Sequence, residues 1–442
     1  MKRLLTLVVI FALSISVFGQ KMLTLDDAIK IALNKNYSLI TQKNQLDVTK
    51  ASQLAAIGRM LPSLSVSSSA GWNHQESVRD YYGGALSTVV KTELRNYTLG
   101  ASTSWTLFDG LSSWANLNST SDNVKSAEFS IEQAKQDIVY YTENYFYSIL
   151  AAQENVKVQE EQLKSVNKNL EQIKEKNRLG SSALSDVLQY QSNVAQQEYT
   201  LINAKNNLEN ARITFLNYLS LDVYEQYEFV DPKTVVSNPE DDLNNTNKLV
   251  QEALSTRKDY QSQLYSLDAA KQGTTTAWST YLPTLRFQGS YGTTSTDASK
   301  MLENPTMNAS LNLSWNISVT GFLMTDISFQ SAKVNLLNAQ EATRNMERQI
   351  KANIKLSIIN YQTGIKSLEA AQTALKYAAE SKRIVNEKYT LGSSTILDVL
   401  TSESSYLQSA YQEINARYQL YYVKEKLMEN LGKLDYSKYE SK

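Results

Sequence analysis

The chain has 442 residues, with 44 basic against 45 acidic side chains, a formal net charge of −1, five prolines, fifteen glycines and no cysteine. Near-neutral charge gives no electrostatic case for nucleic acid or for an anionic membrane surface. The lack of cysteine excludes disulfides, thiolate metal sites, cysteine nucleophiles and a lipidated N-terminal cysteine. So few helix breakers, in a chain long enough for two or three ordinary domains, favour long uninterrupted elements.

Lys2-Arg3 followed by the apolar run Leu4 to Phe18 reads as a secretory signal peptide over residues 1–19, the alternative being a retained N-terminal anchor. No later stretch reaches eighteen continuous apolar residues, so no transmembrane helix is expected. Thr24 with Asp26-Asp27 opens a helix predicted to run over residues 24–60, until Leu61-Pro62 stops it. The period then changes from helical to two: Leu64, Val66, Ser68, Ala70 and Trp72 alternate with Ser63, Ser65, Ser67, Ser69 and Gly71, which predicts a strand. Residues 73–92, polar and containing Gly83-Gly84, read as a loop that holds the only histidine, His74. Alternation resumes through Tyr97, Leu99, Ala101, Thr103, Trp105 and Leu107.

From Leu111 to Asn177 there is no proline or glycine, and apolar residues recur three and four apart. Such a run of roughly 65 residues makes a helix on the order of 100 Å long. It ends in a stretch that the chain contains twice: EKNRLGSSALSDVL at 175–188 and EKYTLGSSTILDVL at 387–400, with nine identities at an offset of 212 residues. Each copy reads as the turn of a helical hairpin, because glycine reaches the left-handed conformation of a helix C-cap and the serines suit the entry to a return helix. The first return helix is expected to reach about Ser220, followed by a polar connector at 223–246. The second half repeats the order. A helix over 247–281 ends in Leu282-Pro283, strands follow around 284–291 and 308–318, a long helix interrupted only by Gly364 runs from Asp326 to Glu387, and a return helix closes near Gly432.

As half-buried strands of a soluble sandwich the alternating segments would need further sheet, and each half has one pair only. In a membrane barrel the apolar face meets lipid, the Asn/Ser face meets a wet lumen, and segments of about nine to eleven residues span the bilayer. Four strands cannot close, since about eight is the practical minimum, so the barrel reading requires association with further copies. No nucleotide-binding glycine loop, HExxH motif or His-paired nucleophile is present, and no enzyme or cofactor is expected. Asp186 and Asp398, on the first turns of the return helices, suit the helix dipole there, or else they act at the tips.

The order of elements resembles the TolC-like outer-membrane efflux and secretion channels over essentially the whole mature chain. The features that carry this are the tandem halves, Leu-Pro before each first strand, Trp105-Thr106-Leu107-Phe108-Asp109-Gly110 and the paired G-[ST]-x-x-x-x-DV tips. The resemblance implies a mixed α and β fold, with a long α-helical coiled-coil barrel in the periplasm joined to a transmembrane β-barrel in the outer-membrane lipid. Each chain of a homotrimer would supply two tandem repeats, at 20–222 and 247–434, leaving a tail at 435–442. The same resemblance implies a passive exit duct of a tripartite efflux pump or type I secretion system, working with a periplasmic adaptor protein and an inner-membrane transporter. The alternative is a surface or periplasmic coiled-coil scaffold or adhesin without transport. By that likeness Asp398 lines a periplasmic constriction as a ring of three, Tyr389 and Asp186 link neighbouring hairpins in the closed state, and Gly180, Ser181, Gly392 and Ser393 dock the adaptor. Thr401 and Ser394 depart from an acidic and a basic residue of the family's best-studied member.

Overall fold

In the computed structural model the described residues are 21–81, 86–230, 243 and 245–439, with side chains described outside 80–87. The predicted signal segment and Gly83-Gly84 lie outside them.

Thr24 starts helix α1 (Leu25–Lys35), its Oγ1 accepting the Asp27 amide at 3.2 Å. The single helix expected over 24–60 is in fact two. Asn36 leaves the helical region at ψ 124°, and its Oδ1 accepts the amide of Ser38 at 3.0 Å at the start of α2 (Tyr37–Gly58). A short amide side chain competes here with the helical backbone for its own neighbours' amides. The helix expected over 247–281 breaks in the same way, into α5 (Thr246–Thr256) and α6 (Lys258–Ser279). Arg257, at ψ 126°, is buried at that break and donates to the Asn430 carbonyl at 3.0 Å.

The strands are β2 (Ser63–Tyr81), β3 (Leu86–Phe108), β5 (Thr284–Ser295) and β6 (Thr306–Ser314), paired antiparallel in the order β2-β3-β5-β6. The loop expected at 73–92 is therefore mostly strand. Polar side chains pair across it, with Lys91 Nζ 2.7 Å from Glu76 and His74 between Glu76 and Glu93 at 3.4 and 3.7 Å. Cross-strand opposite charges stabilise a sheet as apolar pairs do, and the hydropathy alternation that marks a half-buried strand is lost. The register aligns Leu64, Thr103, Gly289 and Ala309 in one row and Val66, Ala101, Tyr291 and Met307 in another, all on one face. Ser65, Ser102, Ser290 and Asn308 share a row of the other face. A bulge at Leu107 closes the register near the end of β3.

Trp105 Nε1 donates to the Met60 carbonyl at 3.0 Å and Trp315 Nε1 to the Tyr281 carbonyl at 3.1 Å, each carbonyl two residues before a Leu-Pro proline. β6 stops at Ser314, short of the alternation that predicted a strand to 318. Asn316 and Ser318 turn instead to the next helix, the Ser318 hydroxyl accepting the Gly321 amide at 3.0 Å. In the first half Asp109 does the same, accepting the Ser113 amide at 3.0 Å at the head of α3 (Ser112–Arg178).

Helix α3 has 67 residues and its return helix α4 (Leu184–Tyr218) 35; α7 (Val319–Thr390) has 72 and its return helix α8 (Ile396–Asn430) 35. Gly364 does not interrupt α7. It lies against α8, where a Cβ would stand 3.2 Å from both Leu420 and Val423. The connector holds a strand that the sequence reading lacks: β4 (Tyr227–Phe229) pairs in parallel with β1 (Lys21–Leu23). Its Phe229 ring lies 6.0 Å from Phe146 and 5.9 Å from Phe215, all three buried. Past Gly432 the tail forms a short 3-10 turn, Ser437–Tyr439, with Tyr439 buried.

The chain divides into two compact units, each drawing on both halves of the sequence. Among the described residues, one holds 21–43, 131–230, 243, 245–258 and 347–439, and the other holds 44–81, 86–130 and 259–346. The sheet belongs to the second unit and both hairpin tips to the first.

Candidate functional site

Each tip is built by the same backbone bonds. Gly180 and Gly392 both sit at φ +76°, and open space surrounds the place where a Cβ would be, so backbone conformation alone requires glycine there. The amide one residue on reaches back across the turn, Ser181 to the Lys176 carbonyl and Ser393 to the Lys388 carbonyl, at 2.8 Å in each case. The two hydroxyls donate to the same carbonyls at 3.0 and 3.1 Å. This is a Schellman closure, with the spare carbonyls of the helix end satisfied twice. It leaves Leu179 and Leu391 pointing out, 66% and 82% exposed, beside exposed Leu184 and Leu397. The repeated Leu-Gly pair announces these apolar tips in the sequence.

The return helices begin differently. At α8 a complete capping box forms: Thr395 Oγ1 accepts the Asp398 amide at 3.2 Å, and Asp398 Oδ2 accepts the Thr395 amide at 2.8 Å. That oxygen also accepts the hydroxyls of Thr395 and Ser394, at 2.7 and 3.1 Å. These bonds, the Thr395 hydroxyl first, hold the Asp398 carboxyl below the usual aspartate range. At α4 the N-cap is Ala183, so half the box is missing, and Asp186 Oδ2 accepts only the Ala183 amide at 3.3 Å and the Ser182 hydroxyl at 3.0 Å. Thr401 is exposed, its hydroxyl turned to the Leu397 carbonyl at 2.8 Å.

The structure brings Tyr389 together with the first tip. Lys176 Nζ donates to the Tyr389 carbonyl at 2.9 Å and lies 4.4 Å from the ring centroid. Burial, followed by the charge of Asp186, pushes the Tyr389 hydroxyl up, while a hydrogen bond with Ser182 opposes the rise. Asp398, in contrast, is exposed and keeps its bonds within its own turn.

Beneath the tips an apolar layer gathers Val166, Leu170 and Ile173 of α3, Val187, Tyr190 and Val194 of α4, and Val399 of α8, with Val385 and Tyr389 of α7 packed against it. A polar cluster that the sequence reading missed lies within this layer. The Tyr190 hydroxyl donates to both oxygens of Glu403 at 2.9 and 3.1 Å, and Asn169 Nδ2 donates to Glu403 at 3.0 Å. Lys382 Nζ donates to Gln162 at 2.6 Å and stands 4.4 Å from the Tyr406 centroid. Glu403 is 2% exposed; burial pushes its carboxyl up, against the Tyr190 bond, the Lys382 charge and the Asn169 bond. Burial pulls the Lys382 ammonium down, against the charge of Glu403.

The second candidate surface is the polar face of the sheet. A cavity of about 410 Å³ opens on it, lined chiefly by serines with Gln288 and Asn308. The opposite face presents Leu64, Val66, Met307, Leu311 and Leu313, all exposed. Among the described residues no helix is long and apolar enough to cross a membrane, and no cluster of His, Asp or Glu could hold a metal ion.

A family model described as outer membrane efflux protein matches residues 28–220 and 249–433. Outer membrane protein TolC of Salmonella enteritidis is 26% identical over 331 residues, which are 71% of this chain and 64% of that protein. The chain thus spans a little under two thirds of that relative's length. Two solved structures share the fold. VceC, an outer membrane protein of Vibrio cholerae, has a TM-score of 0.81 at 17% identity, covering 92% of this chain and 96% of that one. The CmeC outer membrane channel of Campylobacter jejuni has a TM-score of 0.80 at 19% identity, covering 93% and 86%.

Proposed function

Because this chain belongs to the outer membrane efflux protein family, and so to the outer membrane, we propose that three copies form a passive exit duct with no chemistry of its own. The observation that carries this reading is the sheet. One face is apolar and exposed, the other is serine and asparagine, and β2 and β6 are its edges. Exposed apolar rows of this kind suit lipid. Four strands leave both edges without closure, and pairing β6 of one copy with β2 of the next joins twelve strands around a wet lumen. The tandem division at 20–222 and 247–434 fits the matched Trp105 and Trp315 bonds and the matched tips. On this reading the long helices form a periplasmic tunnel that carries the paired tips.

The tips then have two tasks. Asp398 of three copies forms an acidic ring that attracts cations, its orientation held by the capping box and its charge by the bonds that lower its affinity for a proton. Tyr389, packed beside Lys176, Ser182 and Asp186, ties the second hairpin to the first. Gly180, Ser181, Gly392 and Ser393, with the exposed leucines beside them, offer a repeated surface to a periplasmic adaptor. That adaptor would link the duct to an energised inner-membrane transporter of an efflux pump or a type I secretion system. The cargo class is small toxic molecules or an exported polypeptide.

Planar-bilayer conductance of the detergent-extracted protein tests this, with wild type beside Asp398→Ala and divalent cations added from the tip side. The expected result is a small conductance blocked by the cations, with the block lost in the variant. Equal block in both would move the ring elsewhere. No conductance from well-inserted trimers would leave the helices as a scaffold.

A further inference from the structure

Midway along α3 two buried side-chain oxygens have no hydrogen-bond partner, Gln136 Oε1 and Glu143 Oε2, seven residues apart and so two turns along one side of the helix. The C-terminal segment comes to this side. Gln136 Nε2 donates to the Leu434 carbonyl at 3.2 Å, and Lys438 stands within electrostatic reach of Glu143. The segment is locally built: Asp435 accepts the Ser437 amide at 2.8 Å and its hydroxyl at 2.6 Å, and the Tyr439 amide donates to the Tyr436 carbonyl at 3.0 Å. The resulting turn lies against α1, with Leu434 and Tyr439 buried. It thereby joins the end of the chain to its first helix.

Around Glu143 stand Glu425 and Lys424 of α8, Lys438 and Tyr439 of the turn, and Asp26 of α1. Lys424 lies 3.8 Å from Glu425. Burial, followed by the charge of Glu425, pushes the Glu143 carboxyl well above the ordinary glutamate range, against Lys438 and Lys424, and burial pushes Glu425 up as well. A carboxylate with one oxygen shut off from water and from donors is costly when ionised, and a second carboxylate beside it adds to that cost. We propose that the C-terminal segment 434–439 is a proton-linked latch, docked on α1 and α3 over a neutral Glu143 and released when water reaches that carboxyl and it ionises. The docked state binds the proton more tightly than the released one. Docking is therefore at its strongest below the ordinary glutamate range and weakens as pH rises from there through the raised value. Lys438 pulls the other way, since an ionised Glu143 attracts it, but burial is the larger influence. The latch is independent of the duct reading.

The chain has no cysteine, so a thiol placed at a buried position of the segment reports its release. In the purified full-length Leu434→Cys protein, the rate of labelling by a neutral maleimide, divided by that of free cysteine at the same pH, measures the released fraction. Tyr439→Cys is the second reporter should the first not assemble. The relative rate is expected to climb with pH above the ordinary glutamate range, by about tenfold per pH unit for one linked proton. Adding Glu143→Gln, which keeps the shape of the side chain and its neutral form, should leave the rate low and flat. Glu425→Gln should make the climb shallower. Lys438→Gln should keep the climb and raise the rate at high pH, where the ionised carboxyl has lost its opposing cation. A rate that is flat or falls with pH in the parent, or the same climb in Glu143→Gln, overturns the latch. So does release at every pH in Lys438→Gln, which would mean that an ion pair holds the segment.

Discussion

Asp398 serves its own helix first: its carboxylate closes the capping box of α8 and is held ionised by that box. Because the folded turn holds this group below its ordinary proton affinity, the cap is intact above the usual aspartate range and is lost as pH falls through the depressed value. The Thr395 amide, which donates to this carboxylate, should therefore lose protection on acidification in wild type, its exchange compared with the intrinsic rate at each pH, and should show little protection throughout in Asp398→Ala. The first tip has the weaker entry, because Ala183 cannot return a side-chain bond to the Asp186 amide, which turns to the Ala183 carbonyl at 3.1 Å. Ala183→Thr should supply that bond and stabilise the first hairpin by about 1 kcal/mol, read as a raised midpoint in thermal unfolding. The glycine, the serines and the aspartate of each tip were legible in the sequence because the tip is a local structure, its bonds spanning at most five residues.

At the scale of elements, hairpin packing turns on close approach. Gly364 has helical neighbours on both sides and no turn to make, and its reason lies on α8. Gly364→Val should push Leu420 and Val423 apart and cost about 1–3 kcal/mol by overpacking, seen as a lower denaturation midpoint of the purified protein. The paired breaks at Asn36 and Arg257 were not legible as breaks, since apolar spacing runs on through both. Arg257 shows why: its guanidinium is committed to Asn430, 173 residues away. The bonds of Gln162, Asn169 and Lys176 to the second hairpin left a faint trace, a seven-residue polar spacing, which carries meaning only once the facing helices are known.

For the whole molecule the decisive surface is the sheet, whose two faces should respond oppositely to charge. Leu311→Lys puts a cation on the apolar face, where a mid-bilayer position costs about 2–4 kcal/mol, so the variant should be depleted from the outer-membrane fraction. Ser310→Lys, one residue away on the polar face, should insert normally and alter ion selectivity in the bilayer assay. What the sequence by itself determined is whatever depends on near neighbours: the switches of period from helix to strand, the Leu-Pro stops, the long helices and the twin tips. Tertiary structure decided what depends on residues far apart. β1 pairs with β4 across some two hundred positions, residues 73–81 and 88–92 become strand because charges meet across the pair, and Glu403 finds Tyr190 and Asn169. The physical reason is one of range: backbone preference and hydrophobic period act within a few residues, whereas a hydrogen bond or ion pair between helices exists only after the chain has brought its two ends of that bond together.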